Sequence, residues 1–364
     1  MQELIAHLSS DNGTLDKLSD RLAEASATSI PEPEIDFSDI KGQEHAKRAL
    51  MIAASGSHNV LLIGAPGTGK TLLARALAGV LPPLSREESY VVTSLYSIAG
   101  LLPEGQGLIR ARPFRSPHHG ASSVALVGGG SHPKPGEVSL AHLGVLFLDE
   151  LPEFSRGVLD QLRQPIEDGF ITVSRASSTI RFPARSILVG AMNPCKCGWL
   201  GSARKQCQCP AGEVLRYQRR VSGPLLDRFD IHVMVNDVPI EELLRDDSLP
   251  LPEGEQEGVG AQASKQLANL AATAREWQLA RQGKTNAELT VREVKEQCAI
   301  DGLSKKLMQQ AESRFHLSSR GVHRLLKVGR SIADLESEEN ILPRHIAEAL
   351  QYREQLQHAL PDFV

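Results

Sequence analysis

Apolar residues in this chain of 364 follow two patterns that change near residue 245. Ahead of that point they come as short unbroken runs: Val60-Leu61-Leu62-Ile63, Val145-Leu146-Phe147-Leu148 and Ile187-Leu188-Val189. Runs of strand length without polar interruption mark strands buried on both faces. Helical spacing over 43–54, 71–81 and 156–168 separates them. Helices alternating with apolar strands predict an α/β fold, a parallel sheet with helices on both faces. A strand, a loop and a second strand are expected over 170–173, 174–178 and 179–182. From 82 to 144 the pattern predicts a long irregular stretch.

Residues 246–263 combine Pro, Gly and Glu with almost no bulky apolar side chains, and read as a flexible linker. Helical spacing then returns over 267–281, 291–299, 304–314, 321–335 and 343–357, a small all-α domain. The expected organisation is a tail over 1–35, an α/β domain over 36–245, the linker over 246–263 and an α-helical domain over 264–364. Within the tail, 15–25 read as helical and 30–34 as a Pro-rich linker.

Composition narrows the class without choosing a function. With 41% hydrophobic and 23% charged residues the chain is ordinary for a soluble globular protein. No apolar run approaches the ~20 residues of a membrane span, and the first five residues lack the basic and apolar regions of a signal peptide. A cytoplasmic protein without a membrane partner is expected. Net charge is −4, so binding to nucleic acid would have to come from local patches. Two stretches hold no acid. One, between Glu104 and Glu137, contains Arg110, Arg112, Arg115 and Lys134. The other, between Asp168 and Glu213, contains Arg175, Arg181, Arg185, Lys196, Arg204 and Lys205. Each is either a solvated face or a phosphate-contacting surface.

Candidate chemistry begins in Gly64-Ala65-Pro66-Gly67-Thr68-Gly69-Lys70-Thr71, which fits G-x-x-x-x-G-K-[ST] between a strand and a helix. Its glycines let backbone N–H groups turn toward phosphate, and the helix start adds partial positive charge. Lys70 would reach the β- and γ-phosphates, and the Thr71 hydroxyl would ligate Mg²⁺. ATP binding is therefore expected. The run at 145–148 ends in Asp149-Glu150, where Asp149 would hold Mg²⁺ and Glu150 would polarise the attacking water. Asn193 ends the strand expected over 187–191. It would hydrogen-bond the γ-phosphate or the water, or else serve as a turn residue before Pro194. Arg228 is flanked by Asp227 and Asp230. It is either their ion-pair partner or a guanidinium offered to a neighbouring subunit's γ-phosphate. Arg320, at the start of a helix, would play the equivalent role from the α-helical domain.

Cys195, Cys197, Cys207 and Cys209 lie within fifteen residues of sequence. In a cytosolic chain such a cluster points to metal rather than to disulfides, and four thiolates suit a structural Zn²⁺. The single-residue spacing is tighter than the usual C-x₂₋₄-C, which leaves reduced or redox-active thiols as the alternative. Cys298 is expected to be buried and isolated. His118 and His119 would contact DNA or cap a turn, and the turn is the simpler expectation.

With these residues in place, the chain resembles the magnesium-chelatase-like AAA+ ATPases, most closely the ComM/YifB family. The likeness runs from Asp36 to about the C-terminus. It rests on Asp39-Ile40-Lys41-Gly42-Gln43, the P-loop at 64–71, Arg112-Pro113-Phe114-Arg115-Ser116-Pro117-His118-His119 and FLDELPEF at 147–154. It continues through Asn193-Pro194-Cys195, GPLLDRFD at 223–230 and Arg281-Gln282-Gly283-Lys284. The resemblance implies an AAA+ sheet with a helical lid and ATP with Mg²⁺. It also implies Walker A at 64–71, Walker B at Asp149 and Glu150, sensor 1 at Asn193, an arginine finger at Arg228 and sensor 2 at Arg320. It implies, further, a homo-hexameric ring acting as a DNA helicase, driving branch migration in natural transformation and homologous recombination.

The hairpin expected at 170–183 resembles one that related ATPases project into the ring pore, with Arg175 at its tip and Arg181 on one arm. A second inserted loop, 123–137 with Lys134, is expected nearby. Together Arg175, Arg181 and Lys134 would line a positive pore for single-stranded or branched DNA. Two departures stand out. The family's N-terminal Lon-protease-like domain has no counterpart here, so 1–35 read as its remnant. Lys196-Cys197-Gly198-Trp199 also stands where family members commonly have Pro-Cys-Gly-Tyr. The alternatives are an ATPase that remodels a protein client, as in magnesium chelatase, and an ATP-binding adaptor without mechanical work. Glu150 and Arg228 argue against the adaptor, which needs neither.

Overall fold

The computed structural model describes residues 35–102, 107–130, 133–174, 179–244, 264–315 and 317–359. The helix expected at 15–25, the Pro-rich linker at 30–34, the hairpin tip with Arg175 and the linker at 246–263 lie outside the described residues. In chain order the strands are β1 (Val60–Gly64), β2 (Phe114–Arg115), β3 (Gly128–Gly129), β4 (Lys134–Pro135) and β5 (Val145–Leu148). They continue with β6 (Phe170–Ser174), β7 (Thr179–Pro183), β8 (Ile187–Met192) and β9 (Ile231–Val235). Five of them form one parallel sheet in the order β2-β5-β8-β1-β9.

β1, β5 and β8 are buried along their whole lengths, as unbroken apolar runs require. Alternate side chains feed two cores, because successive residues of a strand point to opposite faces. Val60, Leu62, Val145, Phe147 and Val189 enter one; Leu61, Ile63, Leu146, Leu148 and Leu188 enter the other. The second core is closed by Val158, Leu159 and Leu162 of helix Arg156–Asp168. The first is closed by helices Glu44–Gly56 and Lys70–Val80. Since the strands are parallel, the segments after β1, β5 and β8 all leave the sheet at one edge.

The stretch expected to be irregular is the main departure. It contains helix Arg86–Ala99, opened by a capping box. Ser85 Oγ accepts from the Glu88 N–H at 3.2 Å, and Glu88 Oε2 accepts from the Ser85 N–H at 2.9 Å. That Ser-x-x-Glu signature is legible in the sequence. The apolar spacing is not, because the helix buries only Ser89, Val92 and Leu95. Nor is the segment at 123–137 a loop: helix Ser123–Val127 leads into the antiparallel hairpin β3–β4. Gly128 has φ of 91°, and a Cβ there would lie 2.5 Å from the Lys134 carbonyl oxygen, so this close approach needs glycine. The strand-loop-strand at 170–183 forms the antiparallel hairpin β6–β7.

Helices Ser264–Gln282, Val291–Gln297, Gly302–Phe315, Ser319–Leu335 and Pro343–Ala359 form the lid. Leu267, Ala271, Leu325, Val328 and Ile332 share the first core with Ala49, Leu50, Leu73 and Leu77. That core outweighs accompanying ion pairs such as Arg48–Glu348 at 2.8 Å. A buried Leu or Ile contributes on the order of 2 kcal/mol, and a part-exposed pair roughly 1 kcal/mol or less. Asp36 accepts from the Ser264 N–H at 3.0 Å, joining the starts of the two parts. Among the described residues no helix is long and apolar enough to cross a membrane.

Candidate active site

Beyond β1 the chain turns through left-handed residues, Gly67 at φ 79° and Gly69 at φ 89°, before helix Lys70–Val80 starts. A Cβ on either glycine would meet no atom within 4 Å. The backbone angle, not crowding, calls for glycine, and the angle is what turns N–H groups inward. Lys70 is 9% exposed. Its Nζ donates to the carbonyls of Gly64 and Ala65 at 2.8 Å and to Asn193 Oδ1 at 3.2 Å. Burial lowers its pKa, and the charge of Asp149 works against that shift. Thr71 Oγ1 donates to Asp149 Oδ2 at 3.0 Å. A hydroxyl and a carboxylate in contact are the hard oxygen ligands Mg²⁺ takes, so this donor set fits Mg²⁺ with a triphosphate.

Glu150 adopts φ 49°, a left-handed conformation costing a non-glycine residue roughly 1–2 kcal/mol. Its N–H donates to Asp149 Oδ1 at 2.9 Å, and its exposed carboxylate stands 3.2 Å from His119 Nδ1. Of the two histidines expected to cap a turn, His118 does so, its Nδ1 accepting from the Gly120 N–H at 3.0 Å. His119 instead meets Glu150, a contact the sequence did not signal.

Arg228 lies at the opposite edge of the sheet. Its carbonyl accepts from Asn59 Nδ2 at 2.9 Å. Asn59 precedes β1 while the P-loop follows it, and five strand residues separate the two ends by roughly 16 Å. One arginine side chain does not span that gap. The Arg228 guanidinium donates to Glu167 Oε2 at 2.5 Å and is 11% exposed. Arg320, 67% exposed, approaches Glu167 Oε1 at 4.0 Å. The acids flanking Arg228 have another partner: Arg324 lies 3.9 Å from Asp227 and 3.7 Å from Asp230. Burial by itself would raise the Asp230 pKa. The His58 hydrogen bond and the charges of His58, Arg324 and Arg353 hold it at about 2.

Arg181 is exposed on β7, with its guanidinium carbon 3.2 Å from the centroid of the Phe170 ring. Lys134 is exposed on β4. Four other members of the acid-free stretches are paired with carboxylates within the fold. Arg112 pairs with Glu88 at 3.1 Å, Arg115 with Glu137 at 2.6 Å, Arg185 with Glu288 at 2.8 Å and Arg204 with Asp237 at 3.1 Å. A groove of about 650 Å³ that the sequence reading did not single out is lined by Arg156, Arg216, Arg219 and Arg220 beside Glu153. Its signal was the spacing of Arg216, Arg219 and Arg220, which puts them on one side of a helix end.

The four Sγ atoms of Cys195, Cys197, Cys207 and Cys209 lie within 4.8 Å of one another. Cys195 and Cys197 stand 3.4 Å apart, and each is 3.6 Å from Cys207. Sulfurs ~2.3 Å from a tetrahedral zinc stand roughly 3.8 Å apart, so the set fits one ion. Burial would raise the Cys197 thiol. The N–H groups of Trp199 and Gln208, with the neighbouring thiols, bring it down to about 6. The cluster is built onto the phosphate site: Cys195 follows Asn193-Pro194, and a Cβ on Gly198 would lie 2.6 Å from Pro66 Cδ. Cys298 is buried elsewhere, and burial pushes its thiol up to about 11.

The family described as magnesium chelatase, subunit ChlI, matches residues 36–243, and the corresponding C-terminal family matches 261–353. Competence protein ComM of Haemophilus influenzae is 46% identical over 321 residues, which are 88% of this chain and 60% of the relative. The chain belongs to the ComM/YifB family of magnesium-chelatase-like AAA+ ATPases. YifB of Escherichia coli, an uncharacterized protein, is 44% identical over 318 residues, 87% of this chain and 60% of YifB. The magnesium-chelatase 38 kDa subunit of Rhodobacter capsulatus is 31% identical over 192 residues, 48% of this chain and 54% of the subunit. This ComM/YifB-family chain thus spans about 60% of the length of its ComM and YifB relatives. Membership implies ATP and Mg²⁺ at the site, and ATP hydrolysis as its chemistry.

Proposed function

We propose that this chain is the ATP-hydrolysing motor of a homo-hexameric ring that moves on single-stranded or branched DNA and drives branch migration. One observation carries the reading: the phosphate-binding residues and the guanidiniums of Arg228 and Arg320 stand at opposite edges of one sheet. In a single copy Arg228 and Arg320 stand about a strand's length from its own P-loop, where another copy's nucleotide would use them. A closed ring satisfies every site. In it, Lys70 and the P-loop amides bind the triphosphate while Thr71 and Asp149 hold Mg²⁺. The metal supplies charge neutralisation at the phosphates. Glu150 accepts the proton of the attacking water, and Asn193 orients that water. Arg228, with Arg320 beside it, meets the charge developing on the neighbour's γ-phosphoryl group.

Exposed Arg181 and Lys134 would contact DNA phosphates without reading sequence. The name of the competence protein ComM relative supports a DNA client. The cysteine cluster would hold a structural zinc that braces Pro66 and Asn193. Likeness to a magnesium-chelatase subunit favours a second reading, in which the ring remodels a protein. The test is ATP turnover with and without single-stranded DNA, and movement of a three-stranded junction, for wild type, Lys70→Ala and Glu150→Gln. Turnover should rise several-fold with DNA, and the junction should move with wild type alone. Turnover indifferent to DNA would turn the conclusion toward the protein client.

A further inference from the structure

Helix Ala211–Gln218 follows the four-sulfur segment and is seated by one face. Tyr217 and Gln218 are buried, and the Gln218 amide donates to the Pro194 carbonyl at 2.9 Å. With that face fixed, Arg216, Arg219 and Arg220 at the end of the helix are left exposed. Together with Arg156, the first residue of helix Arg156–Asp168, they line the groove of about 650 Å³. Four guanidiniums from two separate elements thus meet in one concavity, against the single carboxylate of Glu153.

Carboxylates within the fold do not account for these charges. Arg220 holds Glu153 at 2.9 Å, but both side chains are about half exposed, and such a pair contributes roughly 0–1 kcal/mol. Arg156 comes no nearer than 3.9 Å to Asp160, with 78% of its side chain exposed. Arg216 and Arg219 pair with no acid among the described residues. Helix polarity does not account for them either. Cations suit the end of Ala211–Gln218, whereas Arg156 stands at a helix start, where a cation is unfavourable. Like charges gathered in a cleft repel one another and focus a positive field, and an anion entering the cleft relieves both.

Guanidinium forks match phosphate oxygens two at a time, and four of them spread along a groove suit a chain of phosphates better than one. A duplex is gripped by elements that enter its grooves, but this surface is concave and admits a single strand. Gly212 also lines it, and a Cβ there would meet nothing within 4 Å, so a ligand backbone can come close. The groove is separate from the hairpins. Arg156 opens helix Arg156–Asp168 and β6 follows its end, and the thirteen residues between span roughly 20 Å. We propose that this groove is a second nucleic-acid site, taking the phosphate backbone of a single strand at the far end of that helix from hairpin β6–β7. The proposal rests on the reading of DNA as the client. A motor that moves a branched junction handles more than one strand, and a site apart from the hairpins holds one strand while the hairpins advance another.

The test uses the full chain and fluorescent oligothymidylate, titrated by anisotropy at several salt concentrations. Arg216→Ala combined with Arg219→Ala should weaken binding about tenfold at ~0.1 M salt. It should also lower the slope of log affinity against log salt by about 1.4, the loss of two single-strand phosphate contacts. Arg216→Lys combined with Arg219→Lys keeps both charges and should keep the slope. Unchanged affinity and slope in the double alanine variant would overturn the groove and leave the hairpins as the DNA contact. A wild type that binds no oligothymidylate would sink the DNA reading and the groove with it. A double alanine variant that loses affinity only because it sediments as a smaller assembly would assign the arginines to acids of another copy, and overturn the proposal. Where that variant does not fold, Arg156→Gln decides: its slope should fall by about 0.7, and an unchanged slope overturns the proposal.

Discussion

At the edge of the sheet where β1, β5 and β8 end, Lys70, Thr71, Asp149 and Asn193 are bonded to one another and to backbone carbonyls. At the edge where β1 and β9 begin, Arg228 and Arg320 share the half-exposed Glu167. The first edge closes around its charge: a buried ammonium with several acceptors is costly to disturb, because each orphaned group would bear its desolvation penalty. At the second edge Glu167 and Arg320 stay near solvent, in a contact contributing roughly 0–1 kcal/mol, while the largely buried Arg228 reaches that edge through its bond to Glu167. On the proposed reading, one edge keeps a ligand of its own and the other meets a neighbour's.

The comparison breaks outright if both edges serve the same nucleotide. Lys70→Ala and Arg228→Ala should each lower ATP turnover by about 10³-fold, yet only Lys70→Ala should lose ATP binding in a direct titration. Mixing the two inactive variants should restore a measurable fraction of the wild-type rate, since mixed rings pair an intact Lys70 with an intact Arg228. A mixture no faster than its components, with mixed assembly verified, returns Arg228 to a structural role.

Next in size is the support behind the guanidinium edge. Asp230 titrates at about 2 in the folded protein against 3.8 for an unperturbed carboxyl. Its folded pKa is depressed, so it stabilises the fold above pH ~4, and that contribution disappears as pH falls toward 2. The amount is about 2 kcal/mol. Denaturant midpoints of wild type should therefore drop over that pH range more than those of Asp230→Asn, which should be the less stable of the two at pH 7. Parallel pH curves would show the His58–Asp230–Arg324 contact to be energetically idle.

The smallest effect sharpens the phosphate edge. Cys197→Ser should lower zinc from about one per chain to near zero and weaken ATP binding about three- to tenfold, through loosening of Gly198 on Pro66. Zinc absent from the wild type would remove the metal, and unchanged ATP affinity would remove the brace.

Much of the phosphate edge was legible beforehand because it is local. The P-loop is eight consecutive residues, and Asp149-Glu150 sits at the end of an apolar run. The helix Arg86–Ala99 was missed although Ser85 and Glu88 announce it, since its buried side is narrow and a periodicity reading has little to count. The acid-free stretches are legible only in part, for the converse reason. Arg112, Arg115, Arg185 and Arg204 find carboxylates from other parts of the chain, so a gap along the sequence is no gap in space.

By itself the sequence determined most of the elements, the parallel α/β architecture and the residues that cradle phosphate, because strand burial, helix spacing and glycine geometry each act within a few neighbouring residues. The tertiary structure alone decided that His119 meets Glu150, that four sulfurs rest against Pro66 and Asn193, and that Arg228 joins Arg320 a strand's length from the P-loop. These juxtapositions follow from the strand order β2-β5-β8-β1-β9. That order is set by which faces and edges bury one another across the whole domain, a condition that no short window of residues contains.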